Sequence, residues 1–197
     1  MTLADSQREE LTDKIVVGLE RISEAFKSLI WGKAKTYGLS PIQIQILIFI
    51  SNHKEELSSV SNLAKEFHVT KPTISDAVKA LDQKGLIIKN YSTADSRSYT
   101  IFLSELGKEM LSKTSDYTLP FFKGFEKMED REIIQLYSTL TKLVFELNRS
   151  GILTIQRTCL ACKFHEFNSN KHHCHLMKKD LMETELMLDC AEYEVKP

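Results

Sequence analysis

The residues best equipped for metal or redox chemistry are four cysteines, Cys159, Cys162, Cys174 and Cys190. All fall within the last 39 of 197 positions, and the preceding 158 contain none. Their spacing is Cys-x2-Cys-x11-Cys-x15-Cys. Two thiols three positions apart can grip one metal centre from a tight knuckle, whereas the distant pair must be brought in by folding. In a cytoplasmic chain such clustering favours a metal or redox site over a disulfide framework. Zinc ribbons usually carry two Cys-x2-Cys knuckles. One knuckle plus two isolated cysteines suits a [4Fe-4S] cluster, in which each iron takes one thiolate. Zinc is the alternative, because His165, His172, His173 and His175 lie close by and are good zinc ligands. The competing reading makes them exposed loop histidines. A thiol oxidoreductase reading of Cys159-Leu160-Ala161-Cys162 lacks the βαβ surroundings that chemistry uses.

A second set of residues suits polyanion recognition. Lys71, Thr73, Ser75, Asp76 and Lys79 fall on the polar side of a helix expected from Lys71 to Lys84. Lysines there can reach phosphates or guanine edges, and hydroxyls can donate to phosphates or bases. Backbone N–H groups near Thr70 add a phosphate site. Further along, Arg97 can enter a minor groove, with Asp95 holding it by a charge-assisted hydrogen bond. Bulk charge adds little. The chain carries a net −1, and residues 60–104 hold six basic and four acidic side chains, a net of only +2.

Both sets need elements to position them. With 7 Gly and 4 Pro the chain has few breakers and reads as mainly helical. A long helix is expected from about Arg8 to Tyr37, with the apolar stripe Leu11, Ile15, Leu19, Ile22, Phe26 and Leu29, ending at Gly38. Ser40-Pro41 is a helix start, although Ile42-Gln43-Ile44-Gln45-Ile46 alternates like a strand. The cap decides for helix, to about Asn52. Ser58-Ser59 caps a short helix from Val60 to Phe67. His68-Val69 turns, and Thr70 caps the next helix, which buries Ile74, Ala77, Val78 and Leu81 and stops at Gly85. Leu86 to Tyr91 and Ser98 to Leu103 read as a hairpin with a polar tip. Ser104 caps a helix running towards Tyr117, interrupted at Pro120. A last long helix spans about Glu129 to Arg149, with the stripe Ile133, Leu136, Leu140, Leu143 and Leu147. Helix, tight turn, helix and hairpin make a winged helix-turn-helix, which reads DNA with its second helix.

The ordered motifs Leu63-Ala64, Val69-Thr70-Lys71-Pro72-Thr73-Ile74-Ser75, Lys84-Gly85-Leu86-Ile87, Asp95-Ser96-Arg97 and Leu103-Ser104-Glu105-Leu106-Gly107 resemble the MarR family of transcriptional regulators, over about residues 10–148. The resemblance implies a homodimer built by the terminal helices and binding to a pseudo-palindromic operator on double-stranded DNA. It departs in one respect: the wing of many relatives is more basic than 92–98. The run Cys-x-x-Cys-x-Phe, with a third cysteine after a polar stretch and a fourth before Glu-Tyr, resembles small four-cysteine modules that bind [4Fe-4S].

The expected architecture is therefore mainly α: a winged-helix and dimerisation domain over 1–150, followed by a small four-cysteine metal-binding tail over 151–197. The expected function is transcription regulation, as a repressor whose tail senses redox or metal state. A small-molecule effector stays open as the signal. The alternative is a winged-helix protein-interaction scaffold with a structural zinc site. The N-terminus lacks a signal-peptide layout, and the apolar run 42–50 is too short to span a bilayer, so a cytoplasmic chain without membrane association is expected. No nucleophile–base pair, phosphate loop or supported carboxylate pair points to an enzyme.

Overall fold

The computed structural model describes residues 4–91, 99–153, 155 and 157–196. Helix α1 (Asp5–Tyr37) stops where Gly38 takes φ +64 and its N–H bonds the Ala34 carbonyl. A left-handed residue at that position is what glycine supplies without strain. Helix α2 (Pro41–Asn52) starts at a reciprocal cap. The Gln43 N–H donates to Ser40 Oγ at 3.4 Å, and the Ser40 N–H donates to Gln43 Oε1 at 2.9 Å. Those bonds, together with Pro41 at the first turn, hold a sequence of strand-like alternation in a helix. Its isoleucines still find burial, since Ile44, Ile46 and Leu47 are fully enclosed and Ile42, Ile48 and Ile50 pack around them.

Helix α3 (Val60–Glu66), capped by Ser59, is followed by a turn in which His68 takes φ +52, and then by α4 (Lys71–Gln83). On α4, Ile74, Ala77, Val78 and Leu81 are all buried, as the periodicity predicted. Gly85, at φ +68, turns the chain into β1 (Ile87–Tyr91), which pairs antiparallel with β2 (Tyr99–Leu103) from Ile87↔Leu103 to Tyr91↔Tyr99. The Ile101 N–H reaches the Ser58 carbonyl at 3.1 Å, sewing the hairpin to the start of α3.

Helix α5 (Glu105–Thr114) gives way to a 3-10 turn at Ser115–Thr118, α6 (Leu119–Phe125) and then α7 (Asp130–Arg149). Phe26 of α1 stacks on Phe121 of α6 with centroids 4.0 Å apart. Beyond α7, three short strands form an antiparallel meander: β3 (His165–Asn168), β4 (Lys171–Cys174) and β5 (Lys179–Leu181). Ser169 and Asn170, both at positive φ, make the two-residue hairpin between β3 and β4. His165, His172 and His173 thus lie in strands, a correction to the loop reading. No described helix is long and apolar enough to cross a membrane.

Gly107 sits where the α5 cap meets the hairpin base. Ser104 Oγ accepts from the Gly107 N–H at 2.9 Å and donates to the Gly85 carbonyl at 2.6 Å. A Cβ at Gly107 would stand 1.9 Å from the Leu86 carbonyl oxygen, whereas one at Gly18 would meet nothing within 4 Å. Gly107→Ala is expected to destabilise by at least about 1–3 kcal/mol in urea unfolding. Gly18→Ala, in mid-helix, is expected to stabilise by roughly 0.5–1 kcal/mol.

Candidate nucleic-acid interface and cysteine site

Burial of one face of α4 turns the other outward. Lys71, Thr73, Ser75, Asp76 and Lys79 are all exposed there. Thr70 caps the helix, its Oγ1 accepting from the Thr73 N–H at 3.3 Å. The Thr73 hydroxyl lies 2.8 Å from that of Thr70, so it belongs partly to the cap. Lys71 and Lys79 make no ion pair among the described residues, while two other lysines are engaged. Lys84 donates to the Gly38 carbonyl at 3.0 Å, and Lys89 pairs with Asp82 at 2.6 Å. The hydrogen bond to Asp82 raises the Lys89 pKa. Among the described residues of 60–104, Lys65, Lys71 and Lys79 are thus the exposed lysines whose ammonium groups have neither a carboxylate nor a carbonyl partner. Asp95 and Arg97, assigned to the wing tip, lie outside the described residues.

The four cysteines converge. Cys159, Cys162, Cys174 and Cys190 line one cavity of about 350 Å3, together with Phe164, His165 and Met187. Backbone bonds set their positions. Cys159 and Met187 exchange N–H bonds, from Cys159 N to Met187 O at 3.0 Å and from Met187 N to Cys159 Sγ at 3.2 Å. The Cys190 N–H donates to the Arg157 carbonyl at 2.9 Å. Burial raises the pKa of Cys159 and of Cys190, and the neighbouring thiols push both further up. Among the described residues, no three His, Cys, Asp or Glu side chains stand in the geometry of a single metal ion. Two of the histidines weighed as zinc ligands bond carboxylates instead: His173 with Asp180 at 2.7 Å and His175 with Glu166 at 2.8 Å. His165 is buried, and that burial, with His172 alongside, lowers its pKa to about 4.

One buried side-chain cluster escaped sequence reasoning. The Arg157 side chain is only 9% exposed and donates to both carboxylate oxygens of Glu66, at 2.8 and 2.9 Å. Its Nε donates to Asp189 Oδ1 at 2.5 Å, and its guanidinium lies 5.3 Å from the Phe49 ring centroid. Burial works against the Arg157 charge, but the bonds to Glu66 and Asp189 outweigh it and raise the pKa. Asp189 also meets His53 Nε2 at 3.0 Å. The signal in sequence is slight: a charged residue close before Cys159 and another beside Cys190, with nothing to tie either to Glu66.

The MarR family model matches residues 37–98, a shorter span than the resemblance read from the motifs. The HTH-type transcriptional repressor YetL of Bacillus subtilis is 33% identical over 76 residues, covering 39% of this chain and 46% of that protein. The chain thus spans somewhat under half the length of that relative. The crystal structure of a MepR–DNA complex from S. aureus is similar at 22% identity and TM-score 0.57, covering 67% of this chain and 97% of that one. BldR of Sulfolobus solfataricus is similar at 21% identity and TM-score 0.53, over 73% and 99%. A further MarR family transcription regulator reaches TM-score 0.65 at 14% identity, over 74% and 96%. The fold is therefore a mainly helical, MarR-like winged helix.

Thr70 both starts α4 and orients its first turn. Thr70→Ala is expected to cost about 1 kcal/mol in denaturant unfolding, with Thr70→Ser recovering most of it.

Proposed function

We propose that this chain, whose residues 37–98 carry a MarR-type winged helix, is a sequence-specific DNA-binding transcriptional repressor. It acts as a homodimer on a pseudo-palindromic operator, in the cytoplasm. The observation that carries this reading is α4 itself: four apolar residues buried, and Lys71, Thr73, Ser75, Asp76 and Lys79 outward, most of them in the N-terminal half of a helix sized for the major groove. The likeness to a MarR-fold protein crystallised on DNA supports it. The terminal helices support the dimer, because Leu11, Ile15, Ile22 and Phe26 of α1 and Ile133 and Leu136 of α7 are exposed to solvent in the single chain. An apolar stripe of that length is more stable against a second copy than in water.

The cysteine module adds the sensing part of the proposal. Gathering four thiolates in one apolar cavity without a cation is unfavourable, because burial and mutual repulsion both oppose the charged form. A bound metal centre reverses that balance and orders a segment with few buried residues of its own. One Cys-x2-Cys knuckle with two isolated cysteines offers four thiolates and no second knuckle, and His173 and His175 are held by carboxylates. That favours a [4Fe-4S] cluster held by Cys159, Cys162, Cys174 and Cys190 over zinc, with redox or metal state as the signal. A small organic effector remains the competing signal.

Binding to operator DNA measured against salt tests the first part. Lys71→Ala and Lys79→Ala are each expected to weaken binding and to lower the salt slope by about one, without unfolding the protein. Unchanged affinity in both variants would remove the groove assignment. For the module, protein purified without air is expected to be brown and to bleach on exposure to air. Cys174→Ser and Cys190→Ser are expected to abolish that colour. A colourless protein with roughly one zinc per chain would make the site structural.

A further inference from the structure

The cysteine module is joined to the reading head by one buried ionic hub, built from residues that flank its cysteines. Arg157 lies two positions before Cys159, and Asp189 directly precedes Cys190. Their backbones form a parallel bridge, and Arg157 Nε donates to Asp189 Oδ1 at 2.5 Å. The same guanidinium grips both oxygens of Glu66, the last residue of α3. Only Phe67, His68, Val69 and Thr70 separate Glu66 from α4. Asp189 also bonds His53, which caps the C-terminal end of α2 and stacks on Phe49 at 4.0 Å. Ile155 lines one surface pocket with His68, Val69 and Lys71 of the turn between the two helices. On its other side the module is fastened to α7, where the Tyr137 hydroxyl donates to the Leu186 carbonyl and Ser138 Oγ to Glu183 at 3.2 Å.

We propose that Arg157 is the residue through which the state of the four-cysteine site sets DNA affinity: it clamps Glu66, and with it the turn that leads into α4. This rests on the reading of the module as a metal site. The physical reason is that a buried guanidinium is stable only with both carboxylates in place. With a metal centre bound, the segments carrying Cys159 and Cys190 are fixed side by side, and Asp189 is held against Arg157. Arg157 then keeps Glu66, and the start of α4, in one orientation relative to α7. Without the metal centre the two segments can part, Arg157 loses a partner, and the turn gains freedom. A head that is already oriented binds without first losing that freedom, so the loaded form is the tighter binder. Bidentate geometry makes the contact specific to arginine.

The test uses the full chain, stripped of metal and then reconstituted anaerobically with ferric iron, a thiol reductant and sulfide, or with Zn2+ in a parallel arm. Affinity is measured for a duplex selected from random sequence by the loaded protein. Loading is expected to tighten binding by about tenfold, within the 5–150-fold range usual for coupled sites. Arg157→Gln and Glu66→Gln are expected to take up the same metal but to show less than about a twofold change on loading. Hydrogen exchange at amides 63–69 should then be as fast in both loaded variants as in the stripped wild type. Glu66→Gln leaves the module's own sequence intact, so it decides the matter if Arg157→Gln does not fold. Uptake of metal with no change in affinity, or with the same change in wild type and variant, overturns the clamp and leaves the metal site standing. Failure of the wild type to take up iron and sulfide or zinc overturns the metal reading, and the clamp with it.

Discussion

Helix α4 owes its position to four side chains. Ile74, Ala77, Val78 and Leu81 are buried among residues of α2, α3 and the hairpin. At about 25 cal/mol per Å2 of apolar surface, that burial outweighs any preference of the polar face. Every feature of the candidate interface follows from it, because a helix with one face sunk in the core must turn its remaining residues to solvent. The supports around α4 serve the same end. Thr70 begins it, Gly85 ends it in a left-handed turn, and the Ser104 hydroxyl ties that turn to α5. The hairpin leaves the core directly behind this stop, with β1 beginning at Ile87.

The cysteine module follows a different logic. Its apolar core is small, with Cys162 and Leu186 its buried hydrophobic residues. What orders it is a mixture of backbone exchange between Cys159 and Met187, ion pairs at its edge and the buried arginine hub. Electrostatic terms of that kind depend strongly on what else is charged nearby. The module is attached to the end of α2 through His53 and Lys54, to α3 through Arg157 and to α7 through Leu186 and Glu183.

Local rules account for most of what could be read directly. The caps at Ser40, Ser59, Thr70 and Ser104 each start a helix, and Gly38 and Gly85 each end one. At residues 42–46 the pattern alone pointed to a strand, and only the cap chemistry at Ser40-Pro41 gave the right element. The exposed face of α4 was legible because helical period and burial coincide there. Less accessible were features made by residues far apart in the chain. Glu66 and Arg157 are 91 positions apart, and neither has a neighbour that announces the other. The engagement of Lys84 by the Gly38 carbonyl has the same character. The histidine strands were missed because the turn at Ser169-Asn170 lacks the Asn-Gly or Asp-Gly signature of a tight hairpin.

The central claim, that α4 reads specific base pairs on behalf of a two-fold dimer, is tested most directly by selecting bound duplexes from a random-sequence pool with the full chain. The account predicts enrichment of an inverted repeat whose half-sites are spaced about one helical turn, 10–10.5 bp, apart or a multiple of it. Recovery of sequences no different from the starting pool, or of a single unrepeated site bound by a monomer, would contradict it.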